Sequence, residues 1–279
     1  VGRPMVGIGI AVAFIVVAAL TSTIFFGGTS TSYVVVAAAA IGAYMAVNMG
    51  LPAVFGVIGC IGAGAIAGFV NGQLVTRAFV PAFIVTLGML GLARGLGLVI
   101  SDGRVIYGLP SGLLYLGQGR PLGIPMPVII LLTTALVTHY ILAFTRFGRY
   151  TLAIGDNENS TRTAGIDVER HRLILYTLSG GLAGLAGMLF MARINSGDPT
   201  AGITYELTAI TAAIIGGTNL FGGRGSILGT MIGALIMGVL QNGLNLLAVQ
   251  SYYQQMAIGA VLIFAVFIDQ YQMRKEARV

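Results

Sequence analysis

The sequence predicts an all-α protein, a bundle of membrane-spanning helices forming one domain over residues 1–279, and three observations predict it. The chain is 56% hydrophobic, with a mean hydropathy of +0.91. Only 9% of its residues are charged, against roughly a quarter in a soluble domain, so the apolar content exceeds what a water-soluble globule of this length can bury. The apolar stretches are continuous rather than alternating. A bilayer core about 30 Å thick offers backbone groups no water, which leaves helices of roughly 20 residues or a closed barrel, and continuous runs select helices.

Nine apolar runs of spanning length follow along the chain. The first, Met5–Phe26, carries no small-residue cleavage site after it, so it reads as a span and not a cleaved signal. Tyr33–Met49 and Pro52–Val70 come next; the latter holds Cys60, the single cysteine, which has no disulfide partner within the chain. Pro81–Ile100 contains Arg94, Pro127–Phe144 is uncharged, and Leu173–Ala192 contains "LSGG". Tyr205–Phe221 runs into the glycine-rich "IIGGTNLFGGRGS" and is expected to be either a full crossing or a short, re-entrant element. Ile227–Leu247 and Tyr253–Ile268 complete the set. Glycines recur at small-xxx-small spacing, as in Gly64/Gly68, Gly91/Gly95, Gly180/Gly184 and Gly229/Gly233, which predicts close helix packing at each pair.

Basic residues orient the bundle. The stretch after Phe144 holds Arg146, Arg149, Arg162, Arg170 and Arg172, and the C-terminal tail holds Arg274, Lys275 and Arg278. Both ends are therefore assigned to the cytoplasm, and the four runs between them, an even number, agree with that. The net charge of +6 reports topology and not a nucleic-acid partner; the partner it implies is the lipid bilayer.

Several chemistries are excluded by what is missing. "LSGG" (Leu178–Gly181) resembles the start of an ATPase signature, but no phosphate-cradling G-x-x-x-x-G-K-[ST] loop exists and the one Lys is Lys275 in the tail. The two histidines, His139 and His171, make no cluster of metal-ligand spacing, and no nucleophile, base and acid fall together, so an enzyme is not predicted and no cofactor or metal is assigned to this chain. The spans also lack the serial acids and histidines of an ion-coupled pump. They carry instead neutral hydrogen-bonding groups, Thr86, Thr177, Ser179, Thr211, Gln241, Asn242 and Asn245, which suit an uncharged polyhydroxylated solute and suit interhelical hydrogen bonds equally. Arg94 either reaches an interface or lines a path, and Glu206 is placed at an outer mouth.

Consecutive blocks from "PAFIVTLGMLGLARGL" (Pro81–Leu96) through "TRFGRYTLAIGDNENSTRTAGIDV" (Thr145–Val168) and "YTLSGGLAGLAGMLFMARINSGDPTAG" (Tyr176–Gly202) to "YELTAITAAIIGGTNLFGGRGSILGTMIGALIMGVLQNGLNLLAVQSYYQQ" (Tyr205–Gln255) carry a resemblance. Over about residues 71–269 the chain resembles the sugar permease subunits of ABC importers, of the ribose, xylose and galactose type. The resemblance implies the membrane-spanning subunit of an ATP-driven monosaccharide importer, favouring a ribose-like pentose, in a bacterial inner membrane. It implies a homodimer of permeases, two cytoplasmic ATP-binding subunits that use ATP and Mg, and an external sugar-binding protein. It further implies that residues 145–172 form a cytoplasmic coupling loop whose short helix docks on the ATPase.

The residues fit that task. Asp156 or Asn157 caps a helix, Glu158 places an acid in its first turn, and Gly165 supplies a left-handed stop, giving roughly two turns, with Gly155 and Arg162 belonging to the same pattern. Thr86, Arg94, Glu206, Asn242 and Asn245 are the candidates for the substrate pathway. The chain departs from the family at Thr208, where an acid is usual, and it lacks a Gly-Ile-Asp-Leu-Ser-Val-Gly loop before Tyr33. Orientation parity also fails by one span at Gly27–Ser32, a connection too short to hold another crossing. The sequence is therefore expected to join two pieces across a missing segment, making ten spans in the full chain. The rival readings are a secondary transporter or facilitator that works alone and a membrane-embedded enzyme.

Overall fold

The computed structural model of the chain describes residues 32–200, 202, 205–219 and 222–276. The first expected span, Met5–Phe26, and the joint after it lie outside the described residues. The helices are α1 (Ser32–Val47), α2 (Ala53–Thr76), α3 (Ala82–Ser101), α4 (Ser111–Gln118), α5 (Met126–Phe144), α6 (Arg146–Asp156), α7 (Glu158–Thr163), α8 (Val168–Ile194), α9 (Tyr205–Ile215), α10 (Ile227–Leu246) and α11 (Ser251–Glu276). Two short strands, β1 (Ile106–Tyr107) and β2 (Ser196–Gly197), pair antiparallel.

Six described helices, α2, α3, α5, α8, α10 and α11, are long and apolar enough to cross a bilayer. The helical bundle is thus as expected, while the count of nine is met only to that extent. α1 has 16 residues and α9 has 11, and 11 residues span about 16 Å at 1.5 Å each, roughly half a bilayer core. The seventh element is therefore a short one. The connection between the fourth and fifth apolar runs, residues 101–126, has structure of its own: it contains α4 and β1. Gly117 of α4 backs directly onto the Ala192–Arg193 backbone, and Gln118 Nε2 donates to the Arg193 carbonyl at 3.2 Å.

Helix starts divide into two kinds. Pro52, Pro81, Pro110 and Pro125 stand at the N-caps of α2 to α5 with φ between −51° and −58°. Proline's missing N–H costs nothing there, because that donor lies outside the helical ladder, and its φ is already set. From residue 145 onward side chains take over: Thr145, Asn157, Asp167 and Ser226 accept from the backbone N–H three residues ahead, at 3.0–3.3 Å. Asp102 and Asn195 end α3 and α8 at φ 52° and 56°, a conformation these residue types tolerate.

The core is centred on α8. Of its apolar window 56% is buried, against 6% for α11. α2 lies against it with no side chain between the two backbones: a methyl group at Gly64 would overlap the Gly180 carbonyl, one at Gly68 the Tyr176 carbonyl, and one at Gly184 the Cys60 carbonyl. Gly64, Gly68, Gly180 and Gly184 thus do what their spacing predicts. A second close pair joins α9 to α10, where Gly229 meets the Gly216 carbonyl and Gly233 meets that of Ala212. Gly91 and Gly95 do not follow suit. An added methyl at either meets nothing within 4 Å among the described residues, so this pair forms no close contact within them.

Candidate functional site

The polar stretch 145–172 is a packed unit of three helices and not one short helix in a loop. The turn from α5 into α6 is tight enough that Gly148 lies against the Leu142 backbone. On α6 the buried residues Gly148, Thr151 and Ile154 recur every third position, so the helix has one inward face. Thr151 Oγ1 and His171 Nε2 are 2.9 Å apart and buried, tying α6 to the first turn of α8, and the Phe147 ring lies 4.5 Å from the His171 ring. Sequence reading missed α6; Thr145 as a cap and the three-residue spacing were the available signals.

Within this unit α7 has six residues, and the structure decides between the two candidate caps. Asn157 is the cap, its Oδ1 accepting from Ser160 N at 3.0 Å, while Asp156 is the last residue of α6. The helix stops as Gly165 turns to φ +83°; Gly165 N donates to the Arg162 carbonyl at 3.1 Å and Ile166 N to that of Thr161 at 3.4 Å, a Schellman closure. Glu158 joins α7 to α8 by accepting from Arg172 at 2.6 Å and from Arg162 at 3.1 Å, and Arg162 also reaches Glu169 at 3.4 Å. Partial burial alone would raise the Glu158 carboxyl, but Arg172 and Arg162 outweigh it and hold the carboxyl below its ordinary value of 4.5. Asn159, Ser160, Arg162 and Thr163 remain exposed on the outer side of α7. Gly155 has a different neighbour: it touches the backbone of Gly222 and Gly223, in the stretch between α9 and α10. That contact places both connections on one side of the bundle, as the orientation argument requires.

The five pathway candidates do not converge on one point. Arg94 of α3 and Glu206 of α9 are brought together at 3.8 Å, with Glu206 the more enclosed of the two. Thr86 is 1% exposed and its hydroxyl donates to the Phe83 carbonyl at 2.9 Å, an intrahelical bond. Asn245 is exposed near the turn between α10 and α11, where its Oδ1 accepts from Gln254 Nε2 at 2.9 Å. Asn242 is half-buried one turn before it. Gln241, also on α10, donates to Thr208 Oγ1 of α9 at 3.3 Å, so the position where the family usually carries an acid is a buried hydrogen-bond acceptor. Asn71 went unnoticed in the sequence. It is fully buried on α2, and its amide N and O find no hydrogen-bond partner among the described residues; its place next in line after Gly64 and Gly68 was the signal. No group of three or more potential metal ligands occurs among the described residues.

Residues 5–266 match the family model described as the branched-chain amino acid transport system / permease component. The ribose import permease protein of Escherichia coli is 45% identical over 237 residues, 83% of this chain and 74% of the relative. The ribose import permease protein of Bacillus subtilis is 46% identical over 201 residues, 71% of this chain and 62% of the relative. The D-allose transport system permease protein of Escherichia coli is 42% identical over 218 residues, 78% of this chain and 67% of the relative. No solved structure matches the chain.

Proposed function

The chain belongs to the family of transport-system permease components, and from that membership we propose that it is the membrane-spanning subunit of an ATP-driven ABC importer, forming the path for a monosaccharide of the ribose type. It is a multi-pass protein of the inner membrane. The observation that carries the reading is the likeness to ribose and allose permeases along most of the chain. In this reading the chain pairs with a second copy of itself, receives sugar from an external binding protein, and leaves ATP and Mg to a separate cytoplasmic ATPase. In this reading the nine membrane elements are Met5–Phe26, α1, the short α9 and the six long helices, and a tenth lies in the segment expected to be missing before Tyr33.

Residues 145–172 are the coupling loop of that assembly. Gly155, Asp156, Asn157, Glu158, Arg162 and Gly165 build it: Asn157 and Gly165 begin and end α7, Glu158 and Arg162 anchor it to α8, and Gly155 seats it on its neighbour. A six-residue helix is marginal alone, so a frame of this kind is what lets it present a fixed face to a partner. Glu206 with Arg94, and then Thr86, Asn242 and Asn245, are the candidates for the path, and the ion pair is the foremost because both members leave their charge partly accessible.

Reconstitution in liposomes tests the proposal. Sugar uptake should require the ATPase subunit, ATP and Mg, and removal of Asn157–Thr163 should abolish uptake and ATPase co-purification while the permease stays inserted. Uptake by the purified chain alone would identify a facilitator instead.

A further inference from the structure

We propose that Gly222 and Gly223 form, with Gly155, a backbone-to-backbone seat through which the cytoplasmic loop moves α9 and α10 together; the inference rests on the coupling role proposed for residues 145–172. Three glycines meet here without any side chain between them. A methyl at Gly155 would overlap Gly223 N and stand 3.1 Å from Gly222 Cα. One at Gly222 would lie 2.8 Å from Gly155 Cα and from its carbonyl oxygen, and one at Gly223 would lie 3.1 Å from Asp156 Cα. Gly222 and Gly223 hold φ +96° and +79°, which L side chains rarely adopt, so both the conformation and the closeness require glycine.

Such a contact transmits displacement well. A side-chain contact yields by changing rotamer, whereas two backbones in van der Waals contact have no soft torsion between them. What lies beyond the seat is also stiff. Thr218 N and Gly217 N close the end of α9 onto the Ala213 and Ile214 carbonyls at 3.0 and 2.9 Å, Asn219 N bonds the Arg224 carbonyl at 3.0 Å, and the Thr218 and Thr230 hydroxyls are 3.3 Å apart. Gly216 against Gly229 and Ala212 against Gly233 then lock α9 to α10. A push at Gly222–Gly223 therefore moves the two helices as one body. α9 carries Glu206, partner of Arg94, so the seat links the cytoplasmic loop to the ion pair between α3 and α9.

The test uses the assembled importer, with binding protein and ATPase, in liposomes. For Gly155→Ala the ATPase subunit should co-purify at the wild-type ratio while uptake per ATP hydrolysed falls tenfold or more. Because that variant can fail to fold, Thr218→Cys with Thr230→Cys gives a second arm: α9 and α10 move as one body if the seat drives them together, so oxidising this pair, whose native hydroxyls are 3.3 Å apart, should leave uptake within twofold of the reduced sample. Wild-type uptake per ATP in Gly155→Ala, or a block on oxidation, overturns the seat. If removal of Asn157–Thr163 also leaves uptake and co-purification intact, the coupling reading falls with it; if that removal abolishes both, the seat alone is wrong.

Discussion

Gly180 and Gly95 occupy the same sequence pattern and opposite structural situations. Each is one member of a glycine pair spaced four apart in an apolar helix, yet Gly180 lies under the Gly64 carbonyl of α2 while Gly95 meets nothing within 4 Å among the described residues. The spacing gives a helix a smooth strip that permits close approach. Whether a neighbour occupies the strip depends on how the other helices are arranged, and in a bilayer the alternative neighbour, lipid, is as apolar as a side chain.

Substitution should separate the two strips most widely. Gly180→Ala forces α2 and α8 apart along the central contact and should cost about 3 kcal/mol, read as a fall in thermal midpoint in detergent. Gly95→Ala should be neutral or slightly stabilising, since alanine is the better helix former and the site is open. Equal losses at both positions would break the comparison.

The three-helix unit of residues 145–172 is held differently, by side chains, and the next predictions sharpen that contrast. Thr151→Val leaves the buried His171 ring without its 2.9 Å partner and should cost about 2 kcal/mol, visible as faster amide exchange across α6. Asn157→Ala removes the α7 cap and should cost about 1 kcal/mol, with exchange rising at Ser160 and its neighbours and not in α2. A smaller effect is expected from Glu158, whose ion pairs are partly exposed. Its carboxyl titrates below the ordinary 4.5, so the stabilisation is complete above that value and is lost as the pH falls through the lowered one. Amide protection in α7 should show this acid step in the wild type and not in Glu158→Gln. No comparable step should appear along α2 against α8, where the close contact is glycine backbone.

Much of the unit at residues 145–172 was legible because its signals are local. An Asn before an acid, and a Gly eight residues after the Asn, set the bounds of α7, since a cap and a left-handed stop act within a few residues of the chain. The choice between Asp156 and Asn157 was not legible, because α6 ends where α7 begins and only the path of the backbone assigns the cap. The groups proposed for the path were least legible. Arg94 and Glu206 stood out as charges in apolar segments, but their pairing joins residues more than a hundred positions apart.

Composition and continuity of the apolar runs by themselves determined a helical membrane bundle, and the arginine distribution determined which connections share a side, because lipid immersion and charge placement act on each segment regardless of its neighbours. Tertiary structure alone decided which glycine strips are filled, that Gly155 rests on Gly222 and Gly223, and that α9 stops at 11 residues. Those outcomes depend on where distant backbones run past one another. Glycine marks such meetings only by having no side chain, which makes every glycine strip look alike until its partner is in place.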